Sequence, residues 1–253
     1  MIQKRVIWAL CMREVLTRYG RRNIGFLWLF VEPMLFTLVI AMVIIFIRHQ
    51  HFSVISPFAF AVTGYSTVML WRNMPNRCLH ALESNASLLY HRHVKIMDIY
   101  FARILLEGAG ATVALFFLII FFSVFGVMSL PVNPLQVCVG WFMLSWFGLS
   151  LALLIGAASE RSKFVEIIWK PLSYILFPFS GAMFVVDMMP PQAQQLILWF
   201  PMVHGVECLR EGYFGPVIKF HYDLGYLALF NLGLMVLGFS NLRHVSRQSH
   251  HPE

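Results

Sequence analysis

Apolar positions in this chain gather into six long blocks, at about 28–47, 56–72, 103–127, 135–158, 165–186 and 222–242, with more polar stretches between them. A helix needs roughly 20 apolar residues to cross about 30 Å of hydrocarbon. A backbone in lipid must also satisfy its own hydrogen bonds, so the pattern predicts six membrane-crossing helices. Pro33 and Pro178 fall inside the first and fifth blocks and predict a kink or a turn there. The first block is too long for a cleavable signal and follows 27 residues, so the N-terminal segment is expected to stay with the protein.

Three stretches outside the blocks carry patterns of their own. Trp8, Met12, Val15, Leu16 and Tyr19 recur at helical spacing, with Arg13, Thr17 and Arg18 on the other side and Arg5 intruding on the apolar one. That predicts an amphipathic helix over residues 1–24, lying in the membrane interface with its cations toward anionic headgroups. Residues 73–102 are too polar to cross and too long for a simple turn. In the stretch 187–221, the run Leu196–Ile197–Leu198–Trp199–Phe200 is too short to cross, and Pro190, Pro191 and Pro201 break it. A helical hairpin that dips into one leaflet and returns fits that pattern. The whole chain reads as one all-α membrane domain.

Composition sharpens the picture. Hydrophobic residues are 59% and charged residues 12%, against about 45–50% and about 25% in soluble domains. A soluble enzyme or nucleic-acid-binding domain is thereby excluded. The net charge of +7 has its explanation in placement. With the N-terminus inside, fifteen of the nineteen Lys and Arg residues flank the blocks on the cytoplasmic side. Arg48, Arg210 and Lys219 fall outside, and Lys170 lies within a block. Both termini are therefore expected in the cytoplasm. The four cysteines have no paired spacing, so neither a disulfide framework nor a zinc site is supported.

The chemistry is chiefly one of absences. There is no G-x-x-x-x-G-K-[ST] loop, no H-E-x-x-H helix and no G-x-S-x-G elbow. No bound cofactor or metal is expected, since the pairs His49/His51 and His91/His93 lack a third ligand nearby. Glu32, Glu107, Glu166 and Lys170 sit close to block ends, where partial hydration tolerates them. No ionisable residue lies clearly at mid-membrane, so the proton relay of a secondary transporter is missing. Glu207 and Glu211 are the one acidic pair available at a membrane face, so an integral-membrane polysaccharide or lipid transferase stays as the less favoured alternative. In His204, Glu207, Arg210 and Glu211 the spacing lets Glu207 pair with His204 or Arg210 on a short helix, as a structural clamp on the hairpin.

Three segments carry a family resemblance. R-E-V-L-T-R-Y-G-R-R-N-I-G-F-L-W-L-F-V-E-P (Arg13 to Pro33) resembles the N-terminal signature of ABC-2 type exporter permeases, and most of all the capsular polysaccharide exporters of the KpsM/BexB type. L-Y-H-R-H-V-K-I-M-D-I-Y-F-A-R-I-L-L-E (Leu89 to Glu107) is similar to the family's lead into its third span. W-F-P-M-V-H-G-V-E-C-L-R-E (Trp199 to Glu211) is similar to its N-P-L-x-H-x-x-E-x-x-R-E pattern, with Phe200 in place of the Asn.

The resemblance implies a bacterial inner-membrane permease that moves lipid-linked, acidic capsular polysaccharide from cytoplasm to periplasm. O-antigen or teichoic-acid export by a sister permease is the alternative. It implies a homodimer working with two copies of a separate ATPase, which would hold the ATP and Mg, and with periplasmic or outer-membrane capsule export proteins. Under it, Glu83, Asn85, Leu88, Leu89, Tyr90, His91 and Arg92 form the helix that couples to the ATPase, unless they are an ordinary surface loop. Arg161 and Lys163 form a second contact. Tyr65, Ser66, Thr67, Trp71, Arg72, Arg77, Phe177, Phe179 and Ser180 line the substrate path, although Arg72 and Arg77 serve equally well as cytoplasmic anchors. Trp28, Glu32, Pro33, His204, Glu207 and Arg210 belong to gate and clamp.

Overall fold

As a computed structural model the protein is described over residues 2–19, 24–47, 55–86 and 94–249. Among the described residues all regular structure is helical. The α-helices are α1 (Ile2–Tyr19), α2 (Ile24–Ile47), α3 (Pro57–Cys78), α4 (Ile96–Val124), α5 (Pro134–Arg161), α6 (Lys163–Ile175), α7 (Pro191–Ile197), α8 (Pro201–Phe214) and α9 (Leu224–Ser249). Single 3₁₀ turns occupy Glu83–Asn85, Pro178–Ser180 and Val186–Met188.

Among the described residues three helices are long and apolar enough to cross a membrane: Ile96–Val124, Pro134–Arg161 and Leu224–Arg247. α2 carries the shorter apolar run Phe30–Phe46. α3 is the inner helix, and every residue from Ala59 to Val68 is buried because α2, α4 and α5 enclose it.

The fifth apolar block departs from its expected length. α6 ends at Ile175, so it spans only about 20 Å at 1.5 Å per residue. Pro178 opens a 3₁₀ turn, and Gly181 takes φ 82 to redirect the chain. Pro33, by contrast, sits inside an unbroken helix, as do Pro75 and Pro171.

α5 is the hub, packed against α3, α8 and α9. Inside lipid the hydrophobic effect gives helices little reason to associate, so close approach through small residues takes over. Gly156 of α5 is such a point: a Cβ there would lie 2.5 Å from the Tyr100 ring and 2.8 Å from Cys78 Cβ. At its start, Asn133 caps α5 by accepting the Gln136 N–H at 3.3 Å. Ser162 separates α5 from α6 and caps the latter by accepting the Phe164 N–H at 3.3 Å.

In the stretch 187–221, read from the sequence as a hairpin, the structure has two helices, α7 and α8. Gly212 of α8 lies against Val137, and Gly205 lies against Leu144. Those two positions on α5 are about 11 Å apart along the axis. α8 is therefore sunk beside the N-terminal half of α5 and does not run its length. Gly215, at φ 72, ends it with its N–H on the Glu211 carbonyl at 2.8 Å.

α1 lies along α4, with Leu10 buried and Trp8, Met12 and Leu16 exposed. The apolar stripe thus faces outward. Arg13, expected near lipid headgroups, instead donates to the Asn85 side chain, and Glu14 accepts from Arg103 at 2.9 Å.

Candidate functional site

Two polar assemblies stand out in this apolar molecule. The first lies where α3 ends and α5 turns into α6. His80 closes α3 with φ 46, a left-handed conformation unusual for a residue with a side chain. Its N–H donates to Ser159 Oγ at 3.2 Å, and the next turn is held by the Leu82 N–H donating to Glu160 Oε1 at 2.8 Å. The Tyr100 hydroxyl reaches the same Glu160 oxygen at 3.4 Å. His80 Nε2 meets Glu166 Oε2 at 2.7 Å, and its Nδ1 lies 3.5 Å from Glu83. Lys170 reaches the other Glu166 oxygen at 2.5 Å.

From this corner α3 and α6 run antiparallel and touch through polar side chains. The Trp169 indole N–H donates to Asn76 Oδ1 at 2.8 Å. One turn further, the Arg72 guanidinium lies over the Tyr174 ring at 5.0 Å. Arg72 and Asn76 lie one turn apart on α3, His80 follows just past its end, and the three meet Tyr174, Trp169 and Glu166 in order. Beside this seam Arg103 binds the corner to α1, donating to Glu14, to the Arg77 carbonyl at 2.8 Å and to Ser84 Oγ at 2.7 Å.

The second assembly is the cradle around α8. His204 Nδ1 accepts the Asp223 N–H at 2.9 Å, so its Nε2 carries the proton it gives to the Leu198 carbonyl at 2.9 Å. Glu207, fully buried, accepts the N–H of Val186 at 3.3 Å and of His221 at 3.2 Å. Arg210, also fully buried, donates to the carbonyls of Gly181, Ala182 and Phe184, each at 2.6 Å. Its guanidinium lies 3.9 Å over the Phe60 ring. The expected pairing of Glu207 with His204 or Arg210 is replaced by bonds to three different backbone segments. The cause is the sharp turn at Gly181, which leaves unpaired carbonyls facing α8. Gly64 of α3 makes room: a Cβ there would sit 2.4 Å from the Ala182 oxygen.

The other expected residues divide by exposure. Tyr65, Ser66, Thr67, Trp71 and Ser180 are buried within the single chain, so their side chains reach no surface. Enclosure of α3 by its neighbours is the reason. The Thr67 hydroxyl donates to the Gly64 carbonyl at 2.6 Å, the Ser180 hydroxyl to the Phe177 carbonyl at 2.6 Å, and Trp71 packs edge-on against Phe147. Tyr65 stacks beneath the half-exposed Phe36 with ring centres 5.0 Å apart. Arg72 and Phe177 are partly exposed and Arg77 is exposed, the last in contact with Glu107 at 3.3 Å. Phe179 stacks on Phe200 at 5.4 Å.

Of the coupling residues, Glu83 is exposed, while Asn85 is buried and donates to the Ala81 carbonyl at 2.8 Å. Leu88, Leu89, Tyr90, His91 and Arg92 lie outside the described residues, as do both H-x-H pairs. Arg161 and Lys163 are exposed. Glu32 is partly exposed and Pro33 buried; Trp28 falls in α2, with its side chain outside what is described. No group of three or more metal-ligating side chains occurs among the described residues.

Sequence reasoning passed over His80, Asn76, Trp169, Glu160, Tyr174, Glu14 and Arg103. The available signal was the clustering of Glu160, Glu166 and Lys170 around one helix break, which in a membrane chain demands partners.

A multi-helical membrane chain with a buried charged cradle and a polar corner at one end matches a known class over most of its length. Residues 5–214 match the family described as ABC-2 type transporter. The capsule polysaccharide export inner-membrane protein BexB of Haemophilus influenzae is 43% identical over 97% of this chain and 93% of its own. The corresponding protein CtrC of Neisseria meningitidis is 42% identical over the same shares. The polysialic acid transport protein KpsM of Escherichia coli is 30% identical over 96% of this chain and 94% of its own. The chain belongs to the ABC-2 type transporter family.

Proposed function

We propose that the chain is the transmembrane subunit of an ATP-driven exporter that moves lipid-linked, acidic capsular polysaccharide across the bacterial inner membrane to the periplasm. Six crossings are made by α2, α3, α4, α5, α6 with the turn that follows it, and α9; both termini are cytoplasmic. Two copies form the path between them, and two copies of a separate ATPase supply the energy. The ATP and Mg belong to that partner. Periplasmic and outer-membrane capsule proteins receive the polymer. End-to-end likeness to proteins named for capsule and polysialic-acid export favours this reading over O-antigen or teichoic-acid export.

The observation that carries the path is the seam between α3 and α6. Arg72, Lys170 and Tyr174 reach the surface there, on a face otherwise made of Phe164, Ile167, Ile168, Leu172 and Ile175. Lys170 has Glu166 as its partner, which leaves Arg72 as the cation suited to the wall of an anion's path: a planar guanidinium suits carboxylates and phosphates. Tyr174, Phe177 and Phe179 add ring faces for sugars. Trp28, Glu32 and Pro33 at the start of α2 belong to the cytoplasmic gate.

Coupling rests on the segment 83–92 together with Arg161 and Lys163. The first stretch and the second are distant in sequence, yet Glu160 and Ser159 bind the turn at 80–82, just before Glu83, to the end of α5, just before Arg161. That link supports a reading in which Glu83 and Arg161 serve one docking cleft. The test is complementation of a cell lacking its own exporter subunit, with the ATPase co-expressed. Surface polysaccharide is expected to return, and R72A/R77A is expected to cut it about tenfold, the loss of roughly one charge-assisted contact, with ATPase co-purification unchanged. Full display by the double variant would remove both arginines from the path.

A further inference from the structure

The helix α6 is held unlike its neighbours. Only Trp169 and Ser173 of its thirteen residues are buried, and its helix packing is with α5 and the Pro178–Ser180 turn. Its link to the inner helix α3 runs through three polar rungs: His80–Glu166 at 2.7 Å, Asn76–Trp169 at 2.8 Å and Arg72–Tyr174 at 5.0 Å. Apolar packing tolerates sliding, whereas a hydrogen bond fixes distance and direction and is lost over a small displacement. α3 is mostly buried and α6 among the least buried helices of the described structure, so relative motion at this seam moves α6.

We propose that the His80–Glu166 rung is a transmission link: it delivers movement of the coupling segment to α6, and through α6 to the face bearing Lys170 and Tyr174. The inference rests on the reading in which residues 83–92 receive the ATPase. Three features make the corner suited to the task. His80 lies three residues before Glu83 and is held at φ 46, so rotation of the turn is carried directly by its ring. The turn is pinned to α5 through Ser159 and Glu160, immediately before the Ser162 break. The break therefore becomes the pivot, and the first turn of α6, where Glu166 sits, the lever arm. Glu166 also has Lys170 at 2.5 Å on its other oxygen, a second partner that keeps it charged and oriented while the His80 bond changes. His80 and Glu166 are positioning residues; neither is placed on the substrate path.

The experiment uses the complex of this chain with its ATPase in proteoliposomes and in capsule-producing cells. H80G removes the ring but suits the left-handed backbone, and E166A removes the acceptor. H80Q and E166Q keep a donor and an acceptor, respectively. H80G and E166A are expected to co-purify the ATPase at the unsubstituted ratio and to hydrolyse ATP within about twofold of it. Polymer export is expected to fall about tenfold, the scale of a lost coupling interaction, and H80Q and E166Q are expected to recover at least half. A defect of fold or assembly would lower hydrolysis and export in parallel, and that result overturns the proposal, as does full export by H80G and E166A. An unsubstituted complex that binds no ATPase overturns the proposed function itself, a failure visible before any substitution is made.

Discussion

At the scale of single residues, the buried charges around α8 are the most exacting feature of the fold. Arg210 is fully buried, so three carbonyls freed by the turn at Gly181 take the place of hydration, and Glu207 brings an opposite charge to the same cradle one turn earlier on α8, without bonding to it. Removing one of two opposite buried charges leaves the other less compensated. Glu207→Ala also leaves the N–H groups of Val186 and His221 without their acceptor. The expected loss is about 3–5 kcal/mol, toward the lower end because the carbonyls remain. Thermal unfolding of the detergent-solubilised protein measures it, with Glu207→Gln expected to lose clearly less. Equal melting temperatures for Glu207→Ala and the unsubstituted protein would contradict a clamp. The spacing of His204, Glu207 and Arg210 marks these residues as partners of something, but the chain alone does not say of what. The answers are backbone atoms up to 29 residues away, and backbone atoms leave no pattern in a sequence.

At the scale of elements, apolar length locates the helices well and their ends poorly. The blocks at 56–72, 103–127 and 135–158 correspond to helices Pro57–Cys78, Ile96–Val124 and Pro134–Arg161; the residues added to the first and third are mainly polar or charged ends that a hydrophobic count omits, while Ile96–Ala102 extends the second past the basic Arg103 at which the block starts. The block at 165–186 misled for the opposite reason. Leu176, Phe177 and Phe179 keep the apolar count running, while Pro178 and Gly181 end the helix. Pro191 and Pro201 mark the starts of α7 and α8, yet the seating of α8 against α5 depends on close approach at glycines of two helices. Gly140 illustrates this: a Cβ there would lie 2.7 Å from the Leu209 backbone nitrogen and 2.9 Å from the Gly205 oxygen. Because the obstacle is backbone, it cannot turn aside, and Gly140→Ala is expected to cost about 1–3 kcal/mol. Gly233→Ala, with nothing within 4 Å of the added carbon, is the control and is expected to leave stability unchanged. Identical unfolding curves for the two variants would contradict the close α5–α8 seating.

At the scale of the whole molecule, the positive charge of the chain and its family agree on what it lacks as much as on what it has. Under the proposed orientation fifteen of its cations gather on the cytoplasmic side, and no G-x-x-x-x-G-K-[ST] loop occurs in its sequence. Under the proposed function, the polar corner at the ends of α3, α5 and α6 would receive the push of an external motor. The exposed cation and aromatic rings along α6 would form the wall that a charged polymer follows. The central claim is that this protein is such a wall and that its energy comes from elsewhere. Its most direct test is ATP hydrolysis and polymer transfer measured together in proteoliposomes, with the chain alone and with the ATPase subunit added. No hydrolysis and no transfer are expected from the chain alone, and ATP-dependent transfer is expected once the partner is present. Hydrolysis by the chain alone, or polymer movement without ATP, would contradict the account.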